Sequence, residues 1–204
     1  MNTRHRRDRL TRIRDIVFVL ASAPVTLPLI ALCAVAIRVE SGSPVVFRQQ
    51  RTGHHGRSFQ MLKFRTMVHN AEALKEQLQH LNVMPPPDFK IPNDPRITRV
   101  GRQLRKTSLD EIPQLWNVLR GEMSLVGPRP TSFSPGHRDY KLWHTRRLDV
   151  KPGLTGLWQV DGRNTTNFDE RTRLDHRYIR TRSVWRDLVI MARTIPALIK
   201  REGS

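Results

Sequence analysis

The most prominent feature of the polarity pattern is a long uncharged stretch near the N-terminus. Residues 16–37 carry no formal charge, and twenty-two residues in a helix would extend roughly 33 Å, enough to cross a bilayer core. Pro24 and Pro28 interrupt it, and an interior proline removes a backbone hydrogen bond and clashes with the preceding turn. We therefore predict a bend near Ser22 and Pro24, so that the segment enters and leaves the membrane by one face.

Basic residues flank this stretch on both sides. Arginines recur over residues 4–14, and arginine and lysine recur again over residues 38–65. Positively charged flanks favour the cytoplasmic side of a membrane, so both ends of the stretch favour that side. The pattern predicts a basic arm and re-entrant membrane helix over residues 1–40 and a cytoplasmic domain over residues 41–204. A straight signal anchor and a cleaved signal peptide are the alternatives.

Shorter patterns follow in the remainder of the chain. Residues 44–49 and 58–64 have the composition of short strands around a glycine-containing turn. Apolar residues at helical spacing over 71–81 and 112–119 predict amphipathic helices. These elements predict an α/β fold that is mostly helical, in which a small globular domain accompanies the re-entrant helix.

A further helix is predicted near the C-terminus. One of its faces is apolar and consists of Trp185, Leu188, Val189, Ala192 and Ile195. Packing against the core is the default interpretation of such a face. The alternative is an interfacial amphipathic helix, because tryptophan and arginine beside a wide apolar face suit the headgroup layer of a membrane.

The net charge changes the range of partners to consider. A formal charge of +18 and a pI near 11.5 predict attraction to polyanions, among which nucleic acids, anionic lipids and phosphorylated substrates all qualify. The single cysteine, Cys33, lies in the apolar stretch and has no second cysteine to pair with. Composition alone therefore leaves three kinds of partner open.

The most informative polar residues are two adjacent carboxylates, Asp110 and Glu111. Ser108 and Glu111 match a capping box, and acidic residues near a helix N-terminus are favoured by the helix dipole, so a structural role is one interpretation. Pro113 disfavours a helix that begins at Ser108 because its missing N–H would fall inside the helix. A helix that begins at Asp110 would hold Pro113 within its first turn.

Cations around this pair suggest a chemical role instead. Basic residues precede it at Arg96, Arg99, Arg102, Arg105 and Lys106, and Arg129 follows it in a turn bounded by prolines. Arginine suits bidentate contacts with phosphate oxygens. A carboxylate among cations is expected to stay ionised, and it can attack phosphorus once a metal and arginines neutralise the phosphate oxygens. On these grounds Asp110 is a candidate nucleophile.

At these residues the sequence resembles the bacterial sugar transferase family, the small monotopic polyprenol-phosphate phosphoglycosyl transferases. The resemblance extends from about Arg14 to Arg193 and rests on several separate motifs in the order of the family. These are Ser41-Gly42-Ser43-Pro44-Val45-Val46-Phe47-Arg48-Gln49, Lys63-Phe64-Arg65-Thr66-Met67, Asp94-Pro95-Arg96-Ile97-Thr98, Ser108-Leu109-Asp110-Glu111, Val126-Gly127-Pro128-Arg129-Pro130 and Lys151-Pro152-Gly153-Leu154-Thr155-Gly156. The family's membrane bend has adjacent serine and proline, whereas Ala23 separates Ser22 from Pro24 here.

The resemblance implies an activity and its requirements. It implies transfer of a phosphosugar from a UDP-sugar to undecaprenyl (polyprenol) phosphate, with release of UMP and a requirement for Mg²⁺, as the first membrane step of exopolysaccharide or glycoconjugate assembly. It also implies interfacial helices and a monotopic location on the cytoplasmic face of the inner membrane, in contact with anionic lipid. The donor sugar is left open, and so is the oligomeric state, for which a homodimer is one option.

The resemblance also implies roles for individual residues. Asp110 would form a covalent phosphosugar intermediate and bind the metal, and Glu111 would assist proton handling or position the acceptor. The remaining assignments place Lys63, Arg105 and Arg129 at substrate phosphates and Gly162 and Arg163 near the nucleotide. Two alternatives remain: a basic nucleic-acid-binding protein, which the net charge alone favours, and a non-catalytic membrane scaffold. The chain lacks a recognisable zinc-finger or RNA-recognition signature, so we expect no nucleic-acid partner.

Overall fold

The computed structural model describes residues 3–84, 89–131, 141–161 and 167–199. Seven α-helices and four short strands lie within these ranges. The helices are α1 (Thr3–Ser41), α2 (Leu74–Gln77), α3 (Arg99–Thr107), α4 (Gln114–Arg120), α5 (Leu157–Asp161), α6 (Phe168–Thr181) and α7 (Val184–Ile199). The strands are β1 (Val46–Thr52), β2 (Ser58–Phe64), β3 (Ser124–Val126) and β4 (Gly153–Thr155). The predicted mostly helical fold with small sheets is confirmed.

The strands form two separate two-stranded sheets. Strands β1 and β2 pair antiparallel, with Val46 opposite Phe64 and Thr52 opposite Ser58, at the two positions where strands were predicted. Strands β3 and β4 pair in parallel although 26 residues separate the end of β3 from the start of β4. The segment over 71–81 forms α2 and a further single helical turn, Gln79–Leu81, in place of one continuous helix.

Helix α1 contains the uncharged stretch and is long and apolar enough to cross a membrane by length and composition. It runs as one helix of 39 residues through Pro24 and Pro28. The hydroxyl of Ser22 donates to the carbonyl of Val19 at 2.9 Å, one turn before the proline. The bend at Ser22 and Pro24, the re-entrant path and the division at residue 40 remain predictions.

The N-terminal flank of α1 is bound to the globular part through a buried polar network. Arg14 pairs with Asp15 on its own helix and with Asp187 on α7. The hydroxyl of Ser124, the first residue of β3, donates to Asp15 at 2.7 Å. Buried charges require such partners, and both Asp15 and Asp187 are only 2% exposed. This network fixes the start of the apolar stretch against α7 and β3.

The C-terminal flank of α1 is bound to the same globular part at a different place. Cys33 and Ile37 pack with Phe64 of β2 and Leu104 of α3 in a small apolar cluster. Arg65 donates to the carbonyl of Ser41 at 2.6 Å and to that of the next residue at 2.8 Å. These bonds satisfy carbonyls that the end of a helix leaves unpaired.

The apolar face of α7 is exposed, so the default interpretation that it packs in the core is wrong. Trp185 is 74% exposed and Ile195 63% exposed, and Leu188 and Val189 are also exposed. The opposite face is the buried one, because Asp187 pairs with Arg14 and Ile190 belongs to the main apolar cluster. The exposed face favours the interfacial alternative.

Candidate active site

The two adjacent carboxylates lie in a short turn between two helices. Helix α3 ends at Thr107, and Ser108 adopts a left-handed conformation with φ 58° that reverses the chain. A single 3-10 turn, Leu109–Glu111, follows, and Pro113 sits at the N-cap of α4 with φ −58°. Both predicted helix starts are therefore wrong: Ser108 terminates the preceding helix, and Pro113 precedes the first helical residue, where its missing N–H costs nothing.

Glu111 is the centre of a compact ion cluster. Its carboxylate accepts from the ammonium of Lys63 at 3.0 Å and pairs with both terminal nitrogens of Arg129. Burial alone would raise the pKa of Glu111, but Arg129 and Lys63 outweigh it and hold this pKa well below its usual range. Glu111 is therefore ionised at neutral pH and orients both cations.

Asp110 is the second carboxylate of the turn and is 9% exposed. Burial raises its pKa and the negative charge of Glu111 adds to this effect, while Lys63, Arg105 and Arg129 oppose it. The net shift is upward, so burial and Glu111 together outweigh the three cations, and the ionisation of Asp110 at neutral pH remains a prediction. Because a more basic carboxylate is a stronger nucleophile, the shift suits the predicted role of Asp110.

Arg129 is held in place by a close approach of two backbone segments. It follows β3 in the turn of residues 127–130, and this turn lies against the start of β4. A Cβ atom on Gly153 would lie 2.1 Å from the backbone nitrogen of Gly127. A Cβ atom on Gly127 would lie 2.5 Å from the backbone carbonyl oxygen of Lys151. The N–H of Gly153 donates to the carbonyl of Pro128 at 2.8 Å. Both glycines are needed because no side chain fits between the strands.

Arg105 reaches the site from α3. Its Nε donates to the hydroxyl of Thr66 at 2.8 Å, just beyond the end of β2. Helix α3 packs so closely there that a Cβ on Gly101 would lie 2.1 Å from the carbonyl oxygen of Thr66. The tight contact fixes the orientation of the guanidinium relative to Lys63 and the turn with Asp110.

These groups line one cavity of about 660 Å³. Among the described residues around it are nine lysine and arginine side chains and three carboxylates. Two of the arginines, Arg96 and Arg147, are paired with Asp94 and Asp175 behind the lining, and the remaining seven still exceed the three carboxylates. The basic residues are Arg51, Lys63, Arg65, Lys75, Arg96, Arg105, Arg129, Arg147 and Arg171, and the acidic ones are Glu72, Asp110 and Glu111. An excess of guanidinium groups is what a site for several phosphate groups requires.

The structure thus brings together five predicted site residues: Lys63, Arg105, Asp110, Glu111 and Arg129. Their chemical roles remain predictions. Two other predicted residues, Gly162 and Arg163, lie outside the described residues. Ser22 and Pro24 lie in α1, in the apolar stretch, and belong to no part of this cavity.

Several cavity residues were not predicted from the sequence. Arg65 belongs to the same sequence motif as Lys63, at residues 63–67. Residues two apart in an extended segment point to the same side, and this spacing could have placed both at the site. Arg147 comes from a 3-10 segment with no polarity pattern to mark it. Trp158 and Phe168 form an aromatic wall with Arg171 between them, its guanidinium 5.5 Å and 5.9 Å from the two ring centres.

The donor set bears on the predicted magnesium. Among the described residues, no group of three or more metal-binding side chains occurs together. Mg²⁺ is commonly held by one or two carboxylates plus substrate phosphates, and Asp110 can supply such a carboxylate, whereas Glu111 is already neutralised by two cations. The residues therefore fit an ion shared with a bound diphosphate and form no complete protein cage.

Together, the cationic cavity, its buried aspartate and the apolar helix docked beside it are consistent with a membrane-associated domain whose cavity has the charge that suits an anionic ligand. The chain belongs to the bacterial sugar transferase family, whose profile matches residues 6–201.

Curated relatives agree with this assignment. The chain is 41% identical to the UDP-galactose-lipid carrier transferase of Erwinia amylovora, over 96% of the chain and 41% of that protein. It is 46% identical to the undecaprenyl-phosphate galactose phosphotransferase of Salmonella typhimurium, over 80% of the chain and 35% of that protein. It is 43% identical to the UDP-glucose:undecaprenyl-phosphate glucose-1-phosphate transferase of Caulobacter vibrioides, over 95% of the chain and 71% of that protein. The chain thus spans less than half the length of the first two.

Proposed function

We propose that the protein transfers a sugar phosphate from a UDP-sugar to undecaprenyl phosphate at the cytoplasmic face of the inner membrane, releasing UMP. The observation that carries the proposal is Asp110, buried in a cavity with nine basic side chains. The activities for which the relatives are named indicate the substrate classes, which are UDP-sugars and undecaprenyl phosphate.

The reaction proceeds in two displacements at one phosphorus atom. A carboxylate oxygen of Asp110 attacks the β-phosphorus of the UDP-sugar, a P–O bond forms, and the bond to the bridging oxygen breaks so that UMP leaves. A phosphate oxygen of undecaprenyl phosphate then attacks the same phosphorus and restores the free carboxylate. A lipid phosphate is largely dianionic at neutral pH because its second pKa is near 6, so neither step needs a strong base.

The cationic residues stabilise the charge that both steps transfer. Lys63, Arg105 and Arg129 would contact phosphate oxygens, and preorganised cations in a desolvated site supply much of the stabilisation of phosphoryl transfer. Glu111 keeps Lys63 and Arg129 together and oriented. Mg²⁺ held by Asp110 and the diphosphate would neutralise further phosphate charge.

Both flanks of α1 support a re-entrant, monotopic attachment. Arg14 binds Asp187 at one end of the apolar stretch, and Arg65 binds the carbonyl of Ser41 at the other, so one globular unit holds both ends. Helix α7 adds an exposed apolar face with Trp185. A domain attached in this way would keep its cavity near the lipid headgroups, where the acceptor phosphate lies.

The test uses UDP-sugar labelled at the β-phosphorus, without acceptor. The wild type should release UMP and retain the label in a bond that hydroxylamine cleaves, as expected for an acyl phosphate. Asp110→Asn should retain no label. Asp161→Asn is the matched control, because this carboxylate pairs with Arg193 at 2.6 Å outside the cavity, and it should label like the wild type. Normal turnover by intact Asp110→Asn would refute the nucleophile.

UMP release with acceptor present and extraction without detergent separate the two alternatives. A non-catalytic scaffold would release no UMP from any UDP-sugar in the presence of undecaprenyl phosphate. A nucleic-acid-binding protein would in addition be extracted into buffer without detergent. The family assignment and the Asp110–Glu111 turn favour the transferase over both.

A further inference from the structure

A buried arginine lies directly behind the turn that presents Arg129. Arg147 is 6% exposed, and its Nη2 donates to the backbone carbonyl of Arg129 at 2.9 Å. Its guanidinium also lies over the ring of Phe168, 5.4 Å from the ring centre. Arg147 therefore connects the segment 142–149 to the turn of residues 127–130.

The same guanidinium nitrogen binds a carboxylate on α6. Asp175 is 1% exposed, and its Oδ2 accepts from Arg147 Nη2 at 2.9 Å. One nitrogen thus serves two acceptors, the carboxylate of Asp175 and the carbonyl of Arg129. A buried ion pair contributes little net stability by itself, and such pairs are better attested as devices that fix a unique arrangement.

We infer that Asp175 and Arg147 are positioning residues for Arg129: the carboxylate orients the guanidinium of Arg147, and this guanidinium holds the turn from which Arg129 reaches Glu111. The kinetic part of this inference rests on the proposed transfer of a sugar phosphate. The positional part does not, because it concerns only contacts within the chain.

The charges around Asp175 predict how pH affects this arrangement. Burial raises the pKa of Asp175 to about 6, against the opposing effects of Arg147 and of Arg171 on its own helix. The segment 142–149 also packs on α6 and carries His144, Arg146 and Asp149 besides Arg147. Helix α5 packs there too and carries Asp161, which is paired with Arg193. Asp175 therefore loses its charge as the pH falls through about 6, and the charge-assisted hydrogen bond from Arg147 to Asp175 weakens.

The kinetic experiment compares Asp175→Asn with the wild type in UMP release from pH 5 to 8. At pH 8 the variant should be slower by roughly tenfold, as expected when a charge-assisted hydrogen bond is weakened. The ratio of the two rates should approach one below pH 6, since a protonated aspartate resembles asparagine. Asp169→Asn is the control, because Asp169 lies on the same helix but binds Lys141 and His144 instead. Titration of His144 can change the rate of this variant with pH, but the variant should not show the tenfold loss at pH 8.

A merely structural role would give a different result. Asp175→Asn would then lower the melting temperature. The ratio of its rate to that of the wild type would not change through pH 6. A constant ratio, or a rate for Asp175→Asn equal to that of Asp169→Asn at every pH, would overturn the inference. Absence of UMP release by the wild type would instead overturn the proposed function.

A second measurement tests the positional part without turnover. The Nε–H NMR resonance of Arg129, assigned with an Arg129→Lys variant, should move in Asp175→Asn at pH 8 and stay in place in Asp169→Asn. An Arg129 resonance that is unchanged in Asp175→Asn would overturn the inference even if the rates differ.

Discussion

Replacing Glu111 by glutamine should destabilise the fold in a pH-dependent way. The substitution leaves Lys63 and Arg129 facing each other without their shared carboxylate. Removing one partner of a buried ion pair costs about 3–5 kcal/mol. The lower end applies here because the side chain of Arg129 is 32% exposed and that of Lys63 19% exposed. About 3 kcal/mol corresponds to a decrease in melting temperature of roughly 6–12 °C for a chain of this size.

The pH dependence follows from the lowered pKa of Glu111. In the unfolded chain a glutamate titrates at about pH 4.3, so the stabilisation from the ionised side chain is fully present above that pH. It is lost progressively as the pH falls below this value towards the folded pKa. The difference in melting temperature between wild type and Glu111→Gln should therefore be largest at pH 7 and shrink at pH 3.

Circular dichroism in detergent micelles measures both melting temperatures. Glu72→Gln is the control, since Glu72 is 86% exposed and its nitrogen partner on Lys75 lies 3.8 Å away; such a pair contributes about 0.5 kcal/mol or less. A melting temperature for Glu111→Gln within 2 °C of the control at pH 7 would show that the cluster does not stabilise the fold. A difference from the wild type that stays constant down to pH 3 would show that Glu111 is not the group whose ionisation matters.

Three further predictions concern other parts of the structure. Arg105→Ala should lower kcat/KM for UMP release roughly 10- to 100-fold, as expected for loss of a charge-assisted hydrogen bond to phosphate. Thr66→Val should produce a smaller loss, because it removes one contact of the guanidinium and keeps its charge. Gly153→Ala should lower the melting temperature, with a cost of about 1–3 kcal/mol or more from overpacking, because its Cβ would meet a backbone nitrogen at 2.1 Å; an unchanged melting temperature would contradict the close contact. Brominated lipids should quench tryptophan fluorescence less in Trp185→Phe than in Trp143→Phe, because Trp185, 74% exposed on α7, is the tryptophan expected to contact lipid. Equal quenching in the two variants would place that face of α7 away from the bilayer.

Local polarity patterns predicted the parts of the fold that depend on nearby residues. The hairpin of β1 and β2 and the apolar helix α1 each carry a pattern long enough to recognise. Strands β3 and β4 are three residues each, too short to show a period, and their parallel pairing depends on the close approach of Gly127 and Gly153. Ser108 was misassigned because its left-handed conformation depends on the packing of the turn, which a capping-box pattern does not report.

Sequence motifs predicted the site residues that lie within them. They did not predict the residues that act by positioning another side chain. The family motifs at residues 108–111 and 126–130 identified Asp110, Glu111 and Arg129. Arg147 and Asp175 lie in segments without a recognisable pattern, and 28 residues separate them along the chain. A contact of this kind is set by tertiary packing, so neither composition nor spacing could have paired them.

The net charge of +18 does not show where the basic residues lie, so it is a weak guide to partners. Several guanidinium groups are used inside the fold: Arg14 pairs with two aspartates, Arg96 pairs with Asp94, and Arg65 binds carbonyls at the end of α1. The aspartate pairs are already subtracted in the net charge, which is the difference between 36 basic and 18 acidic residues, and Arg65 and Arg96 also line the cavity. The quantity that governs ligand binding is the local excess in the cavity, where Glu111 balances only part of the charge of its neighbours. A compact ligand with several phosphate oxygens satisfies such an excess, whereas an extended polyanion would need the charge spread over a face.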